Sequence, residues 1–375
     1  MKSIRKLIEE KEFEFLSKYA SFSSKSLGRI KKEKKCSLRT DFQRDRDRIL
    51  HSKSFRRLKD KTQVFLAPYG DHFRTRLTHS LEVSQVARSV ARVLKLNEDL
   101  CEALSLAHDL GHTPFGHAGE TALSNCLKND FFDHNIQSLR ILILLEDTYK
   151  SQKGLNLSLN CIDGLLKHNG PIKNNHSMKN QLPDIFDYKL NFNNSGSLEA
   201  QISSLSDDIA YNCHDIQDGL RAGLFGLDDL QDIKYFNRMF NKNLKIDKNE
   251  IVRKLLNTLV TDLIENSQYK INIEKIKNID DVYKKKINII NFSDDVNIGL
   301  NEIRNFLKIK MYNHESIKKW NINSEKIIKH LFNYFKKNIK QIPNFNKDFN
   351  DDRNIADYIS GMTDKFALNI YNSIK

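Results

Sequence analysis

The run AHDLGHTPFGHAGE, residues 107–120, concentrates residue types that bind metals and transfer protons. His108 and Asp109 are adjacent near the end of an apolar segment, where a buried carboxylate is costly unless something pairs with it. Adjacent side chains on a helix point about 100° apart, but both can reach an ion that lies beyond the helix end. A divalent cation would offset the cost of burying Asp109. The pair is therefore a candidate set of metal ligands.

A third candidate ligand, His79, begins the preceding amphipathic segment. Apolar residues at positions 80–94 recur with a 3.6-residue period, and Asn97 is a suitable N-cap for a second helix that we predict to run to position 110. If the two helices are antiparallel, His79 and His108 lie within about two turns of one another at ~1.5 Å per residue. Helix tilt can absorb that difference.

The fourth candidate is Asp207, on a helix predicted for residues 198–220. The apolar stripe of this helix leaves Asp207 and Tyr211 on the opposite side. Such a helix is often an ordinary surface helix, but this one lies in an acidic part of the chain, and the upstream motif lacks a ligand. Two imidazoles and two carboxylates suit Mn²⁺, Fe²⁺, Ni²⁺ or Zn²⁺, and Mg²⁺ stays open.

The elements that must position these residues are helices. Strand-like alternation is scarce, while helical periodicity recurs at residues 135–146 and 156–167 and again, several times, after residue 230. A polar segment at 169–197 predicts a long loop. We predict an all-α, multi-helix fold with additional C-terminal helices. Its predicted parts are a helical and basic N-terminal extension, a catalytic domain and a C-terminal helical region, at residues 1–38, 39–230 and 231–375.

Charge is distributed unevenly along the 375 residues, whose formal net charge is +13. Residues 25–61 hold 15 Lys/Arg against 5 Asp/Glu, residues 62–234 hold 15 against 22, and residues 235–375 hold 26 against 17. Basic surfaces on either side of an acidic centre attract phosphates, either of nucleotides or, weakly, of nucleic acid. The Asn, Lys and Ile bias of the C-terminal third is an alternative, purely compositional explanation. The alternating RDRDR run at 44–48 predicts either a salt-bridge network or a nucleotide contact.

Several protein classes are excluded by the sequence. The five cysteines are scattered without a CxxC pair, which argues against a zinc ribbon or a disulfide framework. No apolar run approaches the ~18 residues of a membrane span. The charged N-terminus lacks the apolar core of a secretory signal, and we expect a cytoplasmic protein that does not bind membranes.

Five blocks of the chain resemble, in order, the bacterial dGTPase-like family of HD-domain deoxynucleoside triphosphate triphosphohydrolases. The blocks are RTDFQRDRDRILHSKSFRRLKDKTQVF (39–65), RTRLTHSLEVSQVARSVAR (74–92), AHDLGHTPFGHAGE (107–120), FDHNIQSLRIL (132–142) and SDDIAYNCHDIQDGL (206–220). A bare His-Asp pair is a weak signal, whereas five ordered blocks are a strong one. The departures are FDHN, where FEHN is usual, and a Ser in place of the Ala that commonly precedes the first Asp of SDDIAY.

The resemblance implies the HD-domain fold and a role for each matching residue. The metal ligands it implies are His79, His108, Asp109 and Asp207. The catalytic residues it implies are His117 and Glu120, with His112 and His134 lining the active site. Arg76 matches an arginine that faces the phosphates, and Tyr211 and Asp215 match positions at the deoxyribose end of the pocket. The remaining histidines are interpreted as structural: His51, His72, His168, His176, His214, His314 and His330.

The activity that the resemblance implies is metal-dependent hydrolysis of dGTP, or of dNTPs generally, at the α-phosphorus. The products are a deoxynucleoside and inorganic triphosphate. Two alternatives stay open: an HD-type phosphomonoesterase or phosphodiesterase, and a nucleotide-sensing or nucleic-acid-binding protein. The resemblance also implies a homo-oligomer, often a hexamer, with a possible effector nucleotide.

Overall fold

A computed structural model describes residues 2–64, 72–128, 130–149, 152–173, 176–188, 190–240 and 247–375. Within these ranges the chain forms helices and no strand, and extended segments meet only at two isolated bridges, Arg29 with Ser158 and Thr62 with Thr75. The prediction of an all-α fold is confirmed.

Helices in the first part of the chain build the layer that carries the candidate site residues. They are α1 (Ile4–Phe15), α2 (Asp41–Leu50), α3 (Lys53–Arg57), α4 (Arg76–Val93), α5 (Glu98–Ala107), α6 (Gly116–Cys126), α7 (His134–Arg140), α8 (Leu159–Leu166), α9 (His176–Lys179) and α10 (Leu198–Arg221).

Helices in the C-terminal part cover two sides of that layer. They are α11 (Lys234–Met239), α12 (Lys248–Ile273), α13 (Ile279–Tyr283), α14 (Asp294–Leu307), α15 (Glu315–Lys337), α16 (Asp351–Ser360) and α17 (Asp364–Ile374). A π-helical turn, Lys308–Tyr312, follows α14.

Helices α4 and α5 form a hairpin against which α10 packs. The Thr75 side chain accepts a hydrogen bond from the Thr78 amide and caps α4. Asn97 caps α5 by accepting from the Leu100 amide, as the sequence predicted. The hairpin therefore brings the start of α4 close to the end of α5, where the candidate ligands lie.

The end of α5 differs from the prediction. The α-helix stops at Ala107, and His108–Gly111 form a 3-10 turn instead of a continued helix. Ser138 of α7 explains the change, because its hydroxyl accepts from the Gly111 amide (2.8 Å) and donates to the His108 carbonyl (2.8 Å). These bonds replace the helical hydrogen bonds of the last predicted turn.

Two other predicted helices also differ in extent. The segment predicted as a helix over 135–146 is α7 followed by a π-helical turn, Ile141–Leu145. The helix predicted over 156–167 is α8, which is shorter at both ends. The polar segment 169–197, predicted as a loop, contains the short helix α9 and a 3-10 turn, Pro183–Asp187.

Buried apolar side chains connect the two parts of the chain. Ile209 of α10 belongs to one core with Leu255 and Leu259 of α12. A second shared core joins Leu123 of α6 to Phe332 of α15. The predicted division at residue 230 stays a prediction, but the C-terminal helices pack directly on the elements that carry the site.

The RDRDR run forms a salt-bridge network. Its pairs are Arg44–Glu33 (3.0 Å), Arg46–Asp99 (2.9 Å), Arg48–Glu33 (2.9 Å) and Arg29–Asp45 (2.5 Å). Of the two interpretations of the alternating charges, the geometry supports structural pairing, because these partners tie α2 to the preceding segment and to α5.

Candidate active site

The four candidate metal ligands converge from three elements. His79 lies in the first turn of α4, His108 and Asp109 lie on the 3-10 turn after α5, and Asp207 lies in the middle of α10. Asp207 Oδ1 is 2.8 Å from His79 Nε2 and 3.5 Å from His108 Nε2. One ligand atom from each of His79, His108 and Asp109 lies within 4.8 Å of the others. The structure therefore brings together the set that the sequence singled out.

The protonation of His108 prepares its ring for a cation. Nδ1 is 2.7 Å from the Ser105 carbonyl, which can only accept, so that Nδ1 carries a proton. In the neutral ring Nε2 then presents a lone pair. That atom is buried without a hydrogen-bond partner and lies 3.5 Å from oxygens of Asp109 and Asp207. Three acceptors facing one point repel one another unless a proton or a cation lies between them.

The electrostatics of His108 support the same conclusion. Burial alone would lower the pKa of its imidazole, but the carboxylates of Asp109 and Asp207 outweigh burial and raise the pKa to about 9. A field that attracts a proton this strongly also attracts a divalent cation. The donor atoms present fit a divalent metal ion with mixed nitrogen and oxygen ligands.

Asp109 is held in its ionised form by its neighbours. Its Oδ2 accepts from Arg76 Nη1 at 3.0 Å, and its Oδ1 lies 3.1 Å from His112 Nε2. Burial would raise the pKa of this carboxyl, but Arg76, His108 and His112 together hold it well below its usual range. Arg76 is only 2% exposed. The partner of Arg76 in the structure is Asp109, and contact with substrate phosphates stays a prediction from the sequence.

A second cluster adjoins the metal centre. Glu120 accepts a hydrogen bond from the His134 amide (2.9 Å), and its carboxylate lies 2.9 Å from His134 Nδ1 and 3.2 Å from His117 Nδ1. The ring of His112 stacks on that of His134 with centroids 4.0 Å apart. The His117 side chain is 76% exposed, whereas Glu120 is 15% exposed behind it. His117 is therefore the member of this cluster that faces solvent most openly.

The charges within this cluster are set by burial and by its imidazoles. Burial would raise the pKa of Glu120, but hydrogen bonds from His117 and His134 outweigh it and hold the pKa far below the ordinary value. Burial lowers the pKa of His112 well below its usual range, and the charge of Arg76 acts in the same direction. An ionised carboxylate and a neutral, buried imidazole result.

Close backbone contacts explain two glycines of the motif. A Cβ on Gly111 would lie 2.1 Å from the His134 carbonyl oxygen, and one on Gly119 would lie 2.0 Å from the Pro114 carbonyl oxygen. Any larger residue would force apart the 3-10 turn, α7 and the loop before α6. These glycines allow the metal centre and the second cluster to lie next to one another.

Comparison with known proteins places the chain in a family. The family described as "HD domain" matches residues 76–212, and the one described as "Phosphohydrolase-associated domain" matches residues 290–373. A "Deoxyguanosinetriphosphate triphosphohydrolase-like protein" of Pelagibacter ubique (strain HTCC1062) is 52% identical over 363 residues, which cover 94% of this chain and 98% of the relative. The chain belongs to the HD-domain deoxyguanosinetriphosphate triphosphohydrolase-like family.

Relatives of the same description extend the match. Those of Rickettsia prowazekii (strain Madrid E) and Rickettsia felis (strain ATCC VR-1525 / URRWXCal2) are 43% and 42% identical, each over 96% of this chain and 98% of the relative. The predicted family is thus confirmed, and the chain is an HD-domain hydrolase with a cluster that could hold a divalent metal. Across the described residues, no helix combines the length and apolarity needed to cross a bilayer.

The predicted sugar-binding residues of this family member form a hydrogen-bonded group. Tyr211 and Asp215 lie one turn apart on α10, and the Tyr312 hydroxyl contacts both, at 2.7 Å from the Tyr211 hydroxyl. Burial raises the pKa of Asp215 to about 7. Sequence reasoning missed Tyr312, because it lies in the C-terminal region, where no family block was recognised.

Two histidines that the sequence analysis interpreted as structural border the metal centre. His168 Nε2 lies 3.6 Å from Asp207 Oδ2, and its ring stacks on His108 with centroids 5.4 Å apart. The ring of His214 is 5.9 Å from that of His79. The structural interpretation of both histidines stays a prediction, but His168 contacts a candidate metal ligand. Its sequence signal was weak, since a single His after an apolar helix is common.

The other histidines of that group lie in different surroundings. His314 caps α15, and the ring of His330 packs edge-on against Tyr371. The side chain of His176 lies outside the described residues.

Proposed function

We propose that this protein hydrolyses deoxynucleoside triphosphates, dGTP or dNTPs generally, at the α-phosphorus and releases a deoxynucleoside and inorganic triphosphate. The observation that carries the proposal is the contact between Asp109 and His112, 3.1 Å, which joins the metal centre to the cluster around Glu120. Cleavage at phosphorus needs charge neutralisation and proton transfer side by side, and this contact puts groups suited to both within one site. The names of the relatives support the nucleotide class.

The residues that would hold the metal are His79, His108, Asp109 and Asp207. When bound there, a divalent cation supplies neutralisation of charge on the phosphoryl oxygens and activation of water. The protein's part is orientation. Arg76 holds one carboxylate oxygen of Asp109, and the Ser105 carbonyl fixes the tautomer of His108.

Proton transfer is assigned to His117. Its imidazole is exposed to an incoming substrate, while Nδ1 faces the ionised carboxylate of Glu120 at 3.2 Å. A carboxylate behind an imidazole orients the ring and stabilises its protonated form, as a general acid or base requires. His134 holds Glu120 from the other side, and His112 supports His134 by stacking.

Substrate contacts are proposed for three further residues. Tyr211 and Asp215 would bind the deoxyribose end, where the hydroxyl of Tyr312 already orders both side chains. Arg76 would meet the phosphates, although its pairing with Asp109 supports a second role in orienting that ligand. An effector nucleotide, weak nucleic-acid binding through basic regions, homo-oligomeric assembly and a cytoplasmic location stay predictions from the sequence.

Product analysis tests the reaction class. We would incubate metal-loaded protein with each dNTP and NTP and separate the products, using Asp109→Ala as the inactive reference. The expected result is a deoxynucleoside and triphosphate in equal amounts. Pyrophosphate or orthophosphate in place of triphosphate would overturn the proposal in favour of another HD phosphohydrolase. Salt-sensitive nucleic-acid binding that survives Asp109→Ala, with no turnover of any nucleotide, would favour the non-enzymatic alternative.

A further inference from the structure

A buried carboxylate near the C-terminal end of the chain contacts the turn between His112 and His117 in the candidate active site. Asp364, the first residue of α17, accepts hydrogen bonds from the backbone amides of Phe115 and Thr62, both at 2.9 Å, and from the Thr62 hydroxyl. It is 7% exposed. Phe115 precedes Asp364 by 249 residues and lies in the turn between His112 and His117.

The carboxylate of Asp364 is not needed to cap its own helix. Thr363 already caps α17 by accepting from the Phe366 amide. The Asp364 side chain instead reaches away from α17 to another element. A local capping role therefore does not explain why a carboxylate is buried here at the cost of its hydration.

The same turn is held at a second point by a buried amine. Lys61 Nζ, on a side chain 2% exposed, donates to the carbonyls of His112 (2.5 Å) and Ser360 (2.8 Å). Ser360 ends α16, so that both anchors tie the turn to the junction of α16 and α17. Lys61 donates to the His112 carbonyl at the start of the turn, and Asp364 accepts from the Phe115 amide near its end.

The backbone of the turn needs such support. Phe115 has φ +65°, in the left-handed region that residues other than glycine rarely adopt. Without Asp364, its amide would be buried without a partner, and the turn would relax to another conformation. Because His117 follows Phe115 by two residues, that relaxation would move the imidazole away from Glu120.

We propose that Asp364 is a positioning residue for His117, acting through the turn 112–116. On this proposal α17, which lies in the region matched by the phosphohydrolase-associated domain, completes the active site. The proposal rests on the proposed function for its catalytic consequence. It assigns to the C-terminal region a part in catalysis through geometry alone, since Asp364 contacts two backbone amides and the Thr62 hydroxyl but neither His117 nor Glu120.

Kinetics of three variants test this role. Asp364→Ala removes the acceptor, Asp364→Asn keeps the side-chain volume and one acceptor oxygen, and Glu302→Gln is the control. Glu302 also accepts from a backbone amide, that of Tyr235 at 2.8 Å, but far along the chain from the turn. We expect kcat per folded, metal-loaded chain to fall ~100-fold in Asp364→Ala and ~10-fold in Asp364→Asn, with KM changed less than about threefold, because misplacing a catalytic group by ~1 Å costs on this scale. Glu302→Gln should retain the kcat of the wild type.

Hydrogen exchange gives a readout that does not depend on activity. Amides of residues 112–119 should exchange faster in Asp364→Ala and Asp364→Asn, while those of α4 and α5 keep wild-type rates. Wild-type kcat and unchanged exchange in both Asp364 variants would overturn the proposal, as would a lower melting temperature with unchanged kcat per folded chain. If the wild type releases no triphosphate, the proposed function fails, and faster exchange at 112–119 alone would still support the structural role of Asp364.

Discussion

His79 Nε2 lies 2.8 Å from an Asp207 carboxylate oxygen, although 128 residues separate the two along the chain. The contact joins α4 to α10 at the point where the 3-10 turn after α5 presents His108 and Asp109. Each ligand alone is an ordinary polar residue on a helix. Together they create a centre in which two carboxylates and an imidazole nitrogen without a hydrogen-bond partner face one another, and a divalent cation between them would relieve their repulsion.

Glu120→Gln should separate proton transfer from binding. The substitution keeps a carbonyl oxygen but removes the charge that faces His117 at 3.2 Å and His134 at 2.9 Å. We expect kcat to fall ~10²- to 10³-fold with KM changed little, because the loss affects a group that handles protons. Steady-state kinetics with Glu325→Gln as control would check this, because the Glu325 carboxylate is partly exposed and paired with Lys329 on α15. A kcat within twofold of the wild type would exclude Glu120 from the mechanism.

His168→Gln should weaken metal binding without removing it. His168 contacts Asp207 on the side away from His79, and residues that orient a metal ligand are worth ~10- to 100-fold in affinity. Competition with a chromogenic chelator measures the affinity, and His330→Gln, at a ring contact with Tyr371, is the control. Equal metal affinities in His168→Gln and His330→Gln would contradict an orienting role for His168 and support the structural interpretation.

Gly111→Ala should destabilise the fold through steric overlap. The added Cβ would meet the His134 carbonyl at 2.1 Å and the Ser138 amide at 2.3 Å, both backbone atoms that cannot move alone. We expect the free energy of unfolding to fall by about 3 kcal/mol or more. Urea denaturation measures it, with Gly226→Ala as control, since the nearest atom there is 3.8 Å away. Similar losses in both variants would mean that the close approach at Gly111 is not rigid.

Asp215→Asn should make stability less dependent on pH. Burial raises the pKa of Asp215 from 3.8 to about 7, despite the Tyr312 hydrogen bond and the nearby charges of Arg74 and His79, while Asp218 adds to the rise. The folded protein therefore binds more protons than the unfolded chain between about pH 4 and 7, and its stability falls as pH rises through that window. Above pH 7 the uncharged Asn should be more stable by on the order of 4 kcal/mol, and near pH 4 the advantage should vanish.

Urea denaturation at several pH values would check this behaviour. Asp229→Asn is the control, because the Asp229 carboxylate is partly exposed and paired with Lys310. A stability difference between Asp215→Asn and the wild type that stays constant from pH 4 to 8 would contradict the assignment.

The sequence predicted the centre of the site because local signals carried it. The helical period before His108, the Asn97 cap and the acidic face that holds Asp207 each follow from neighbouring residues. The order of the family blocks added His117 and Glu120. For residues such as His108, Asp109 and Asp207, the residue type already limits the possible chemistry to metal binding or proton transfer.

Contacts that depend on tertiary packing were not predictable in the same way. His168, Tyr312 and Asp364 are single polar residues in segments with ordinary patterns, and nothing local indicates which distant group each will meet. The 3-10 turn at His108 was missed because it depends on Ser138, which lies on another helix. Periodicity identifies the buried face of a helix but not its partner.

Metal content tests the central claim most directly. Wild-type protein, Asp109→Ala and the control Asp208→Ala would be loaded with Mn²⁺, passed through gel filtration and analysed by atomic emission, with far-ultraviolet circular dichroism to check the fold. Asp208 neighbours Asp207 but pairs with Arg304 at 2.9 Å. We expect about one ion per chain in the wild type and in Asp208→Ala, and almost none in Asp109→Ala with its helical spectrum intact. A full complement of metal in folded Asp109→Ala would contradict the account.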